Sequence, residues 1–471
     1  MPSPSSSTTG ASSIWRDIRF ALSGKQYDFT AGSIGRAILI LAVPMVLEMS
    51  MQAVFEVVDV FFVGRLGADA VTAVGLTSSV LILVFAIGMG LSMAATAIVA
   101  RRIGEGDPDG AARAAFQVLL VTFLVSLPIG AIGVLYPGEL LRLMGATDSV
   151  VEIGSGYFAI MFGGNLTILF LFLINAIFRG AGDAAIAMRV LWLSNILNII
   201  LDPLLIFGWG PVPELGVTGA AIATTIGRGI AVVYQLWLLN RGQGRIRVQA
   251  ADATLNPVLL KTLAKISIPG LLQYFVGTAS WLLIFRIMAD FGSEAVAGYT
   301  IAIRVIVFAI LPSWGMANAA ATMVGQNLGA GLPDRAEKAV NVASVANMVF
   351  MGLFAIALQF TAEPILRIFT EDPAVIQYGT QCLIIVSYSY LFLALGIVMV
   401  QAFNGAGDTT TPTYINLVSY WILQIPLAYW LAKPLGMGPD GVFWAIAIAQ
   451  SFLGVLAYIV FRRGSWKTRE V

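Results

Sequence analysis

An all-α integral membrane fold, with twelve transmembrane helices in two pseudo-symmetric six-helix bundles, is predicted by three features of the sequence. Of its 471 residues, 58% are hydrophobic and only 11% charged, against about 25% charged in ordinary soluble domains, so most of the surface cannot face water. The apolar residues gather into runs near 36–63, 69–91, 112–136, 150–178, 185–207, 217–239, 262–286, 294–316, 337–361, 374–402, 412–432 and 441–462. Each run reaches the roughly 20 residues that a helix needs to cross the hydrocarbon core. Finally, the second half of the chain repeats the first at one constant offset.

Peptide groups in lipid must pair within the protein, so the runs are helices; a barrel would show short alternating strands. The breaks carry Gly, Pro and charge, as in GRLGAD, RRIGEGDPDG and GWGPVPELG. Residues 1–33 are polar and read as a tail with a short amphipathic stretch at Ile14–Phe20. The first apolar run is too long for a cleaved signal peptide. With the N-terminus inside, 20 of the 27 Lys and Arg residues fall on the inner side, which places both termini in the cytoplasm.

A shift of 225 aligns Pro44 with Pro269, Gly104 with Gly329, Gly154 with Gly379 and Leu141-Arg142 with Leu366-Arg367. It superposes FRGAGD (Phe178–Asp183) on FNGAGD (Phe403–Asp408). Each unit has an even number of spans, so the halves share orientation and relate by an axis along the membrane normal. The organisation read from this is a tail over 1–33, bundles over 34–240 and 261–463, a polar cytoplasmic linker over 241–260 and a tail over 464–471.

A net charge of +1 gives no basic field for nucleic acid. Histidine is absent and Cys382 is the only cysteine, so proton chemistry must rest on carboxylates. No GxxxxGK[ST] phosphate loop occurs, so energy must come from an ion gradient or a separate partner.

Carboxylates inside a membrane are costly and mark function. The first span holds Glu48, Gln52, Glu56 and Asp59 at spacings that share one helical face, and the fifth holds Asn198 and Asp202, four apart. At the 225 shift, Glu48 becomes Gln273, Glu56 becomes Trp281, Asp59 becomes Ile284 and Asp202 becomes Leu427. Asn175 becomes Val400, Asn198 becomes Leu423, Thr224 becomes Ala449 and Tyr157 becomes Cys382. Groups needed only to hold the fold should persist in both halves. These do not, so an ion-handling site is expected in the N-terminal bundle, where a buried acid can hold a proton or bind Na⁺ with neighbouring oxygens. The competing reading makes the acids buried hydrogen-bond or ion-pair partners, for instance of Arg228 or Arg304.

The GAGD turns have a structural reading: Gly ends one helix and Asp caps the next. Pro44 and Pro269 either kink their helices or permit bending. Arg228 and Arg304 are expected to neutralise buried acids or carbonyls.

Taken together, Pro44–Gly75 (with VVDVFFVGRLGADAVTAVG), VARRIGEGD, FRGAGD, and LNIILDPLLIFGWG followed by LGVTGAAIATT resemble the MATE family of multidrug and toxic compound extrusion transporters, over nearly all of 34–462. That resemblance implies two six-helix bundles around a V-shaped cavity, pumping drug-like compounds outward against H⁺ or Na⁺. Within the family the chain looks DinF-like, which implies a cation site at Asp59, Asn198, Asp202 and Thr224, with Tyr157 and Asn175 in the same region. The NorM-like plan places acids on spans 7 and 10, where this sequence has none. Glu48 and Glu56 are extra acids that the motif does not explain, and with Gln52 they join Tyr157 and Asn175 in the expected polar network.

The expectation is therefore an efflux antiporter of the cell membrane, working by alternating access. It has no catalytic residues, no cofactor beyond H⁺ or Na⁺ as coupling ion, and no metal beyond Na⁺ at Asp59, Asn198, Asp202 and Thr224. Its partners are a small-molecule substrate and the lipid bilayer, with no nucleic acid and a monomer as the working unit. The rivals are a flippase for lipid-linked oligosaccharide, which would want a cavity lined by Arg and Lys, and a sensor that binds without flux.

Overall fold

With no water in the hydrocarbon core, each apolar run must satisfy its own peptide groups, and this chain does so with helices. The computed structural model describes residues 11–208, 213–249, 252 and 255–471, without the side chains of Ala11, Ser12, Ser13, Glu56, Val57, Asp59 and Val60. Among the described residues there is no strand.

The amphipathic stretch near the N-terminus is helix α1 (Ala11–Ser23), which exposes Trp15, buries Ala21 and is tied to the next helix by Arg36–Asp17 at 3.0 Å. The first half continues with α2 (Ile34–Gly64), α3 (Ala68–Gly104), α4 (Pro108–Leu135), the short α5 (Pro137–Leu143), α6 (Asp148–Gly163), α7 (Asn165–Ala181), α8 (Ala184–Ile206) and α9 (Gly216–Arg241). The second half holds α10 (Pro257–Met288), α11 (Ser293–Gly329), α12 (Pro333–Phe369), α13 (Pro373–Ser387), α14 (Tyr390–Gly405), α15 (Thr410–Asn416), a π-helical segment over Leu417–Gln424, α16 (Ile425–Ala432) and α17 (Pro439–Arg462).

Among the described residues, ten helices are individually long and apolar enough to span, and two bent pairs, α6–α7 at 42° and α13–α14 at 60°, bring the number to twelve when each is one span. The bends fall at Gly164 and Ser389, which are 225 apart. Backbone freed by each break finds a partner inside the protein. Asn165 donates to the carbonyls of Phe162 and Ser126 at 2.6 and 3.1 Å, and Ser389 donates to Val386 O at 2.7 Å. The result is two pseudo-symmetric six-helix bundles.

The halves close against each other at the end where the termini lie. There α3 and α11 cross so tightly that a Cβ on Gly104 would sit 2.0 Å from Gln326 O, and one on Gly329 would sit 2.2 Å from Arg101 O. Only glycine permits this approach, and the two contacts exchange under the repeat. Around the crossing, Thr322 donates to Arg179 O at 3.0 Å and Gln326 to Gly180 O at 2.9 Å. Arg335 donates to the carbonyls of Ala31 and Gly32 at 2.6 and 2.9 Å, and Arg101 to Arg469 O.

The two GAGD turns share their backbone and differ in their acid. Gly182 and Gly407 take φ of 91° and 81°, and the N–H of each following Asp returns to Phe178 O or Phe403 O. Asp408 caps as expected, accepting from Thr411 N at 3.2 Å, with Arg469 at 3.3 Å. Asp183 does not cap α8. Its Oδ2 accepts from Arg245 N at 2.7 Å instead, because the linker folds back and buries Ile246 against the bundle. Burial pushes the Asp183 carboxyl up to about 6, with Arg245 pulling it partly back. Linker residues 250, 251, 253 and 254 lie outside the described residues.

Candidate cation site in the N-terminal bundle

Helices α2 and α8 run side by side in the same direction. Trp192 donates to Leu47 O at 3.1 Å and Asn195 reaches Met51 O at 3.5 Å. Continuing that register by one turn and then another sets Asn198 and Asp202 level with the stretch 55–59 of α2. The side chains of Glu56 and Asp59 lie outside the described residues, so their part in the expected site rests on this backbone register alone.

Asp202 is fully buried, and Asn198 and Thr224 nearly so. The amide of Asn198, oriented so that both ends are satisfied, donates to Asp202 Oδ2 at 2.8 Å. Its oxygen accepts from the hydroxyl and the backbone N–H of Thr224 at 2.9 and 3.1 Å. Three of the four residues expected at the cation site therefore form one contiguous group, carried by α8 and α9. The spacing of Asn198 and Asp202 puts both on one helix face, and the Ala- and Gly-rich start of α9 lets Thr224 approach. A buried carboxylate beside neutral oxygens offers a proton or a hard monovalent cation a partner.

The expected polar network divides. Glu48 and Asn175 meet in a second cluster: Glu48 Oε1 accepts from Arg179 at 2.7 Å and from Asn175 at 3.0 Å, and Asn175 Oδ1 accepts from Gln235 at 2.6 Å. Glu48 Oε2 is buried with no hydrogen-bond partner. This cluster lies seven or more residues along α2 from the stretch level with Asp202, roughly 10 Å or more at 1.5 Å per residue. It is a separate site. Gln52 is half-buried one turn beyond Glu48, and Tyr157 is buried on α6 in the apolar cluster of Ile206, Val217 and Ala221.

The cation that meets Glu48 is Arg179. Arg179 sits in the last turn of α7, where counting it with the inner-face charges concealed it. Arg228 stands 6.0 Å from the Phe55 ring, while Arg304 is exposed and makes no ion pair among the described residues. Arg179 and Gln235 were both legible by the repeat: at the 225 shift they become Asn404 and Val460.

Comparison with known proteins agrees with this architecture. A model of the MatE family matches residues 44–204 and again 266–430, once in each half. The chain is 27% identical to an FAD transporter of Shewanella oneidensis, over 93% of this chain and 96% of that one. It is also 27% identical to a probable multidrug resistance protein NorM of Thermotoga maritima, over 93% and 94% of the two chains. A solved structure described as the outward-facing conformation of a multidrug resistance MATE family transporter superposes with a TM-score of 0.88 at 25% identity, covering 94% of this chain and 98% of that one.

Proposed function

The chain belongs to the MATE family of multi-pass membrane transporters, and from that premise we propose that it is a secondary active antiporter, exporting drug-like or cationic organic compounds in exchange for H⁺ or Na⁺. The observation that carries the reading is the buried Asn198–Asp202–Thr224 group, which exists in one half only. In the other half, the equivalent positions are Leu423, Leu427 and Ala449.

Asp202 binds the coupling cation, Asn198 and Thr224 complete an oxygen shell, and Asp59 joins them from α2, in the DinF-like manner. The bundles, 34–240 and 261–463, rock about the linker at 241–260. The termini lie in the cytoplasm of a cell-membrane protein, so the crossing of α3 and α11 closes the inner gate. A bound cation shifts this equilibrium only through its different affinity for the two states. The buried Asp202 supplies that difference, since its cost of ionisation changes with its access to water. A relative named as a probable multidrug resistance protein supports a broad substrate range, and another relative is named as an FAD transporter.

The test uses purified protein in liposomes, with efflux of a fluorescent dye followed under a pH gradient alone and then a Na⁺ gradient alone. One of the two is expected to drive efflux; absence of a response to either removes the antiport reading.

A further inference from the structure

Inside the C-terminal bundle lies a cavity of about 430 Å³, walled by α10, α11, α14, the π-helical segment and α17, with Met89 and Met93 of α3 on one side. A volume of several hundred Å³ suits a small organic molecule. The wall is aromatic at Trp281, Tyr299, Trp314 and Tyr420, and its polar groups are mostly side-chain amides, among them Gln273, Gln424 and Gln450. No Asp, Glu, Lys or Arg lines it among the described residues.

The repeat shows what this neutrality means. Gln273 and Trp281 stand 225 residues after Glu48 and Glu56, and Leu453 stands 225 after Arg228. The face that carries ionisable groups in the first half carries amides, rings and aliphatic groups in the second. Two further observations point to a ligand. Gln273 is 6% exposed and its Oε1 is buried without a hydrogen-bond partner, a deficit that a ligand donor would repair. Tyr420 and Gln424 project from a π-helical segment, a distortion that occurs mostly at functional sites. That segment is held to α10 by Trp421, which donates to Val276 O at 2.9 Å. Gln450 spends its Oε1 on the Ser389 hydroxyl at 2.6 Å, leaving its amide hydrogens for an acceptor.

We infer that this cavity binds an uncharged, planar heteroaromatic molecule. Gln273 accepts from a ring N–H, Gln450 donates to a ring carbonyl or nitrogen, and Trp281 and Trp314 pack on the faces. A cation is disfavoured because nothing in the wall compensates a buried charge, whereas flat rings match the aromatic lining. This deepens the transporter reading and rests on it for placing the cavity on the transport route. Cation and cargo then occupy different halves, and their coupling runs through the movement of the bundles rather than through competition for one carboxylate.

The full-length protein in nanodiscs is titrated against two fluorescent fused-ring probes, uncharged riboflavin and cationic ethidium, and binding is read by polarisation of the probe. Riboflavin is expected to bind with a Kd about tenfold or more below that of ethidium. Gln273→Leu and Gln450→Leu should each weaken riboflavin about tenfold, the loss of one hydrogen bond to a buried group. Gln273→Glu should weaken riboflavin and tighten ethidium, a reversal that simple loss of folding cannot produce. No saturable riboflavin binding, equal affinity for the two probes, or unchanged riboflavin affinity in all three variants overturns the proposal. If instead the antiport reading is wrong, gradient-driven efflux from liposomes fails while riboflavin binding and its dependence on Gln273 persist.

Discussion

Arg179 donates to Glu48 Oε1 across 2.7 Å, joining the last turn of α7 to the middle of α2. The carbonyl of the same arginine accepts from Thr322 of α11, so the ion pair is bonded directly to the crossing that joins the halves. Glu48 is 1% exposed and Arg179 11%. Removing one partner of a buried pair strands the other charge and costs about 3–5 kcal/mol. Arg179→Gln is therefore expected to destabilise strongly, and Glu48→Gln combined with it to recover most of the loss. Thermal unfolding of the four proteins of the cycle checks this; additive single effects would deny the pair its structural role.

The reciprocal glycines offer a second prediction. A side chain at Gly329 cannot fit without separating α3 from α11, because its Cβ would lie 2.2 Å from Arg101 O. Gly329→Val is expected to cost about 1–3 kcal/mol, withdrawn from the state closed at the terminal end. Spin labels at residues 103 and 328 should show a longer distance population in the variant. An unchanged distance distribution would mean the crossing does not hold the gate.

Asp183 gives a pH dependence with a definite sign. Its folded value, about 6, lies above its ordinary 3.8 because of burial. The stability it contributes is thus complete below pH 3.8 and is lost as pH rises toward 6, where the buried carboxyl must ionise. Asp183→Asn keeps an acceptor for Arg245 N without the charge. The variant should be more stable at neutral pH, by on the order of 1–3 kcal/mol, and its melting temperature should fall less than that of the parent between pH 4 and 7. Parallel pH profiles would contradict this.

The sequence exposed the architecture because lipid leaves a chain few options, and because Gly, Pro and charge recur at one offset. The acids were legible for the same reason: Glu48, Asn198 and Asp202 stand out against Gln273, Leu423 and Leu427. Arg179 was obscured because, near the end of its span, it counts among the charges of the inner face. Its exchange for Asn404 carried the information nonetheless. That Asn175 belongs with Glu48 rather than Asp202 depends on which helix faces which, and spacing along single helices cannot convey that. The π-helical segment in Leu417–Gln424 leaves no trace in the periodicity of a span that is apolar throughout. Asp183 was misread as a cap because the linker that claims it lies some sixty residues further on, with Arg245 as partner.

Thr224 separates geometry from charge. Its hydroxyl donates to the Asn198 oxygen at 2.9 Å, so Thr224→Val removes one bond, worth about 1 kcal/mol, while keeping shape. The concentration of coupling cation at half-maximal efflux should rise about fivefold in Thr224→Val and stay near the parent value in Thr224→Ser. Equal effects of the two substitutions would point to packing instead.

In this mechanism Asp202 trades a cation during each cycle. Its most direct test compares Asp202→Asn with the parent protein in liposomes, measuring dye efflux under the effective ion gradient and dye exchange with no gradient. Gradient-driven efflux is expected to fall at least about tenfold, a coupling of roughly 1.4 kcal/mol or more, while gradient-free exchange continues. Gradient-driven efflux at the parent rate in Asp202→Asn would contradict it.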